Sequence, residues 1–499
     1  MNSMKKSFLQ MARPDRIRLF RLLFPALLAI APSCIQQNMS LGSAYVPQNQ
    51  YIYLDQAEFD LPVGINYPDS LNTELSDYLQ VGSISSEEYG NVTVGAAVSI
   101  VPSCTFKEWG GNPVFKEMKL TLAMSSLQAL EQSQLYIPQN IYVHRLTRDL
   151  DSTTVYGNSI KPGDYTPGQC CTGVNVTTGL DTMFISFPEE FARPIFAMDS
   201  MTLDSVELFC KQFKGLYINT DKRASDDIGG RISEFRVSDN PSIELIYTST
   251  RKDGYRRDTV EYFWLVGYGA YSLMTIERDR KINTTDRAES IIKTDGIAGA
   301  TPFINGRELR NQLDKWLEIN GLDRNKVMIS KAMIEFPVSF AGHHSDYAAY
   351  PGNLFPCRRV RDSLNNVVYM PLSEIYSSEY SQGDMLTNID DGDKCYYYRP
   401  DAALYIQSLL KEEDIEKVDD TYDVWMMPTS TYTVTTKRKS TAINDYYNYY
   451  YYSYYGIDLN STTQSFYCCD NTTYFQGNLN GTGAKRHPKL YLTYTVSGK

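Results

Sequence analysis

Val114-Phe115-Lys116-Glu117-Met118-Lys119-Leu120-Thr121-Leu122-Ala123-Met124 decides the fold class. From Met118 onward every second residue is apolar, the two-residue period of a strand with one buried face. Runs of strand character recur at 50–60, 91–101, 141–146, 243–248, 260–268, 329–340, 424–427 and 489–496, broken by Gly, Pro, Asn and Asp. The 39 tyrosines, with frequent Val, Ile and Thr, add β propensity. The expected fold is mainly β: two tandem β-sandwich, jelly-roll-like domains with one or two short helices.

One helix is written clearly. Between Arg307 and Ile319 the apolar residues Leu309, Leu313, Trp316 and Leu317 share a face; Asn305 is placed to cap the start and Gly321 to end it. Residues 402–410 predict a second, shorter helix.

A weak internal repeat divides the chain. The stretch 115–122 opens a segment that closes with 243–248, and 329–336 opens one that closes with 489–494. The polar, charged run 249–257 marks the junction. The expected domains are therefore a signal peptide, 1–33, and two sandwiches, 34–250 and 251–499.

The first 34 residues carry an export address. Six basic residues from Lys5 to Arg21 precede a short apolar run, 22–31, and then Pro32, Ser33 and Cys34. Ten apolar residues cover about half of what a bilayer-spanning helix needs. The pattern predicts lipidation of Cys34, whose acyl chains (palmitate or similar) gain about 0.8 kcal/mol per buried methylene. Cleavage removes six basic residues and one acidic one from a chain of net charge −11, leaving −16. That excess repels phosphate backbones and argues against nucleic acid as a partner.

Nine cysteines become eight once Cys34 carries lipid. An even set in an exported chain is compatible with disulfides, but eight cysteines allow 105 pairings, so none is assigned. The neighbours Cys170-Cys171 and Cys468-Cys469 are expected to pair elsewhere rather than with each other.

Four stretches carry a family resemblance: Val81-Gly82-Ser83-Ile84 with Tyr89-Gly90-Asn91; Val143-His144-Arg145-Leu146; Phe213-Lys214-Gly215-Leu216-Tyr217-Ile218; and Gly229-Gly230-Arg231-Ile232. The chain resembles Bacteroidota outer-membrane lipoproteins classified as a domain of unknown function. The resemblance implies a signal-cleaved, lipid-anchored β-sandwich protein with no assigned catalysis, linked in some members to the outer-membrane protein assembly machinery. It places the chain at the outer membrane, with the extracellular face as the expected side. The residues after Cys34, Ile35-Gln36-Gln37-Asn38-Met39, lack the acids that usually accompany surface export in this phylum. Its O-glycosylation pattern, Asp then Ser or Thr then a small or apolar residue, is met at Ser70, Ser152, Thr182, Ser200, Ser205, Thr259 and Ser363, where Asp-Ser turns are the simpler reading.

Motifs for chemistry are absent from the sequence. It holds no nucleophile elbow, zinc-protease helix, phosphate loop or dinucleotide fingerprint. No catalytic residue, metal or cofactor is expected. His343, His344 and Asp346 read as a polar loop, and Asn388, Asp390, Asp391 and Asp393 around Gly392 as a turn rather than a calcium site. The run from Tyr446 to Tyr455 holds eight tyrosines. Tyrosine combines a flat apolar face with a polar tip, which makes Tyr449, Tyr450, Tyr451 and Tyr452 the candidate binding surface. The expected function is a lipid-anchored, non-catalytic interaction subunit with a protein partner in the envelope; the alternative is a carbohydrate-binding or glycan-processing lipoprotein.

Overall fold

A computed structural model of the chain describes residues 52–74, 78–150, 157–158, 163, 170–176, 182–237, 242–265, 271–284, 290–339, 350–362, 365–376, 383–390, 393–437 and 461–497. The fold is mainly β and sandwich-like, built from several antiparallel sheets with five short helices among the described residues. No described helix is long and apolar enough to cross a membrane.

The strand that decided the fold class is the centre of the largest sheet. It runs from Gly111 to Gln128 and serves three partners: residues 111–120 pair with Ile243–Thr250, 118–123 with Thr182–Phe187, and 123–128 with Gly229–Arg236. Met118, Leu120 and Leu122 are fully buried. Each contributes about 1.5–3 kcal/mol of burial. Their core is closed by helices Glu189–Phe196, Ser200–Leu203 and Val206–Gln212, which supply Phe191, Ile195, Leu203 and Phe209.

The family-like stretches meet in this sheet. Gly82 lies opposite Ile232 and Ile84 opposite Gly230, while Tyr217 lies opposite His144 and Ile218 opposite Val143. Their glycines answer to crowding. A Cβ on Gly82 would stand 2.3 Å from the Arg231 carbonyl oxygen, and one on Gly215, at φ +118°, 2.1 Å from that of Val98.

Residues 54–495 form one compact unit, and its sheets are not divided at residue 250. The polar run expected to be a junction is a hairpin turn: Ile243–Thr250 pairs along its length with Arg256–Trp264, and Ser272–Arg278 returns to pair with Gly90–Val98. The early strand Val63–Asn66 in turn pairs with Thr301–Ile304. The first large sheet thus draws on residues 78–278, and the remaining sheets combine 52–66 with 291–497. A shared apolar core, including Ile84, Val94, Ile232 and Met274 with Cys357, Trp425 and Met427, joins the two sets. In both, the opening strand of the repeat lies beside its closing strand: Gly111–Gln128 beside Ile243–Thr250, and Val327–Pro337 beside Lys489–Ser497.

The helix read at 307–319 spans Gly306–Asn320. Asn305 Oδ1 accepts from Glu308 N at 2.9 Å, and Gly321 ends it in the left-handed region at φ +60°. Trp316 packs edge-on against Phe59 and Tyr494. The buried Arg310 donates to the Leu409 carbonyl at 2.6 Å, tying this helix to the second expected one, found at Ala403–Lys411. The three helices between 189 and 212 were not expected.

Candidate functional site

Thr429–Lys437 and Ser461–Cys469 form a two-stranded ribbon, in unbroken register from Thr429 opposite Cys469 to Lys437 opposite Ser461. Threonine, serine and aromatic residues dominate both strands, a composition that favours extended backbone. The consecutive residues Thr431, Tyr432 and Thr433 are exposed, as are Thr463, Gln464 and Ser465. Because successive side chains point to opposite faces, neither face of the ribbon is covered at these positions. Among the described residues no third strand joins it.

A cleft of about 690 Å³ opens at the base of the ribbon. Tyr432, stacked on Phe466 with centroids 5.6 Å apart, and Tyr467, edge-on to Tyr376 at 5.3 Å, supply aromatic surface. Tyr78, Glu74 and Glu234 stand on other lining segments. Glu234 accepts from Gln80 Nε2 at 3.2 Å and Ser126 Oγ at 3.1 Å, which fixes its carboxylate. Desolvation pushes the Glu74 carboxyl up, partly offset by a hydrogen bond from Asn72. Tyr369 donates to Asp69 Oδ1 at 3.0 Å, and Arg359 grips both oxygens of Asp69 at 3.2 and 2.9 Å. Burial raises the Asp69 carboxyl, but Arg359 and Tyr369 outweigh it and hold it below the usual range. The Cys468 thiol, in the same wall, is pushed up by burial and stays protonated at neutral pH, so it is not poised as a nucleophile. Flat aromatic faces beside fixed carboxylates suit recognition of a polyhydroxylated or peptide ligand.

A second cleft, of about 900 Å³, is a seam. Its polar wall satisfies itself: the Tyr89 hydroxyl lies 2.9 Å from the Gly477 carbonyl and 2.8 Å from Asn478 Oδ1, and Tyr350 donates to the Asn478 carbonyl at 2.8 Å.

Several expected site residues lie outside the described residues: Cys34, Tyr449, Tyr450, Tyr451, Tyr452, Ser152, Ser363, His343, His344, Asp346 and Asp391. The tyrosine run falls in sequence between the paired ribbon ends Lys437 and Ser461. Of the O-glycosylation candidates, Thr182 and Ser200 are exposed and Ser70 is half-buried. Ser205 caps a helix, accepting from Leu208 N at 3.4 Å, and Asp199 caps the preceding one, so both motifs are in part helix starts. Thr259 Oγ1 accepts from Arg251 at 2.6 Å. Asp390 and Asp393 are hairpin partners. Among the described residues no group of three or more His, Cys, Asp or Glu is placed to hold a metal ion.

The cleft residues Glu74, Tyr78, Glu234, Tyr432 and Tyr467 were missed in the sequence. Glu234 sits in a strand of alternating character, where an acid reads as solvent-facing, and nothing local couples residue 78 to residue 467. No protein-family model matches the chain, and no curated protein matches it.

Proposed function

We propose that the chain is a lipid-anchored, non-catalytic protein of the outer membrane that works as an interaction subunit, docking an envelope partner through the ribbon. One observation carries this reading: the ribbon strands are long and uncharged from Thr429 to Thr436 and from Ser461 to Cys469, and no described third strand covers them. Sheet edges that must stay single are normally guarded by charge, proline or a bulge. An unguarded edge suits strand addition by another chain, with main-chain hydrogen bonds giving affinity. The resemblance to Bacteroidota lipoproteins and the export pattern ending at Cys34 support the same reading. The mature charge of −16 disfavours nucleic acid.

The test is a photo-crosslinking residue at Tyr432 in the native host. A discrete crosslinked band, lost when the residue stands at exposed Phe184 on the large sheet, is the expected result; no band from Tyr432 overturns the proposal.

The carbohydrate reading keeps one specific observation, the pairing of Tyr432 and Tyr467 with Glu74 and Glu234 in the ribbon-base cleft. Under it, Tyr432→Ala and Tyr467→Ala each weaken retention on an immobilised envelope glycan at least tenfold, and replacement of Tyr449 to Tyr452 by Ser does the same without unfolding the chain. Unchanged retention sinks it.

A further inference from the structure

We propose that Cys357 and Cys469 form a disulfide in the mature protein, stapling the ribbon base to the sandwich, while Cys468 stays a free thiol at the cleft. Cys357 lies in the strand Phe355–Arg361, fully buried, with Trp425 opposite on one side and Pro371 on the other. Cys469 is the last ribbon residue and packs into the same apolar core cluster. Its Sγ lies 3.4 Å from the Tyr369 carbonyl oxygen, on the strand adjoining that of Cys357, and Tyr369 and Trp425 belong to the core cluster that both cysteines share. Cys468 points the other way, its Sγ 3.4 Å from Ser430 Oγ, as neighbours on a strand must. The geometry therefore selects one member of the adjacent pair.

The chemistry is exchange with a disulfide donor of the thiol–disulfide oxidoreductase class. Half-buried Cys469, in the cleft wall, attacks the donor as a thiolate; a mixed disulfide forms and the donor's first thiol leaves. Cys357 then attacks the Cys469 sulfur and displaces the second donor thiol. The protein loses two electrons, the donor gains them, and the two protons released by the cysteines end on the two donor thiols. The bond has a mechanical consequence. A two-stranded ribbon is marginal alone, and this one is tied to the core at the end where its register begins.

Formation in the cell rests on the envelope location proposed above, so the experiment has two arms. In the first, purified full-length protein is equilibrated with oxidised and reduced glutathione, free thiols are blocked, and cysteine peptides are mapped by mass spectrometry without reductant. A Cys357–Cys469 linked peptide with Cys468 alkylated is expected, unchanged in C468A. Reduction, or C469A, lowers Tm by about 2–5 °C. Linkage of Cys357 to Cys468, or alkylation of both Cys357 and Cys469, overturns the pairing. The second arm blocks thiols in acid-quenched cells. A bond that forms in glutathione but is absent in cells upholds the pairing and overturns the envelope location.

Discussion

Two adjacent residues hold backbone that side chains resist. In the turn between Ile291–Asp295 and Thr301–Ile304, Ile297 and Ala298 take φ of 54° and 55°. The left-handed region costs a residue with a Cβ about 1–2 kcal/mol. The turn is held by Arg278, whose guanidinium donates to the Gly296 and Ile297 carbonyls at 3.0 Å each and pairs with Asp295, with both charges buried. Asp295 Oδ1 in turn accepts from Ala300 N at 2.5 Å. Ala298→Gly is expected to raise stability by about 0.5–1 kcal/mol, since little side chain is lost. Ile297→Gly, which empties a buried site, is expected to lower it by about 2 kcal/mol or more despite the same relief. Urea midpoints of the two variants should move in opposite directions; movement in the same direction would remove strain from the account. Arg278→Met leaves Asp295 buried without its cation and is expected to cost about 3–5 kcal/mol, with part recovered in the double variant carrying Asp295→Asn.

Elements gain stability where chain segments distant in sequence complete their ends. The helix Gly306–Asn320 takes its local cap from Asn305, but its first turn also donates Gly306 N to Asp423 Oδ1 at 2.8 Å. Desolvation is the largest influence on Asp423; it outweighs the bond from Gly306 and, with Asp420 and Asp419 nearby, pushes the carboxyl up to about 6 from the ordinary 3.8. The folded protein therefore holds a proton that the unfolded chain has released, and stability falls as pH rises from about 4 through about 6. Asp423→Asn keeps an acceptor for Gly306 and removes the charge; Tm against pH should flatten across that window, and an unchanged slope would refute the assignment. This helix was legible because its apolar face, cap and terminator are local in the sequence. The strand 424–427 was legible for a similar reason, as an uninterrupted apolar run. The helices between 189 and 212 were not: Pro194 interrupts the first, and their caps Asp199 and Ser205 read equally as the Asp-Ser turns of loops.

At the scale of the whole molecule the sequence carries composition but not juxtaposition. Alternation at 118–124 is enough to predict a half-buried strand, yet nothing in it says that the strand serves three partners. The polar run 249–257 reads equally as a linker or a hairpin turn, and only pairing across it decides. The ribbon-base cleft is invisible for the same reason, since it gathers lining residues from 71 to 472. Among the described residues the ribbon leaves Thr431 to Thr433 and Thr463 to Ser465 exposed, and stability does not explain why its strands carry no charge from Thr429 to Thr436 and from Ser461 to Cys469. Thr433 stands on its exposed outer half, opposite Ser465. Lysine there would place a desolvated charge at any incoming strand while leaving the ribbon solvated when alone. Thr433→Lys is therefore expected to leave Tm within about 1 °C of the parent, as surface substitutions do. The same change should reduce the Tyr432-dependent crosslink at least fivefold, whereas Thr433→Val, which keeps the edge uncharged, should retain it. Equal crosslinking by the lysine and valine variants would show that the partner does not add along this edge.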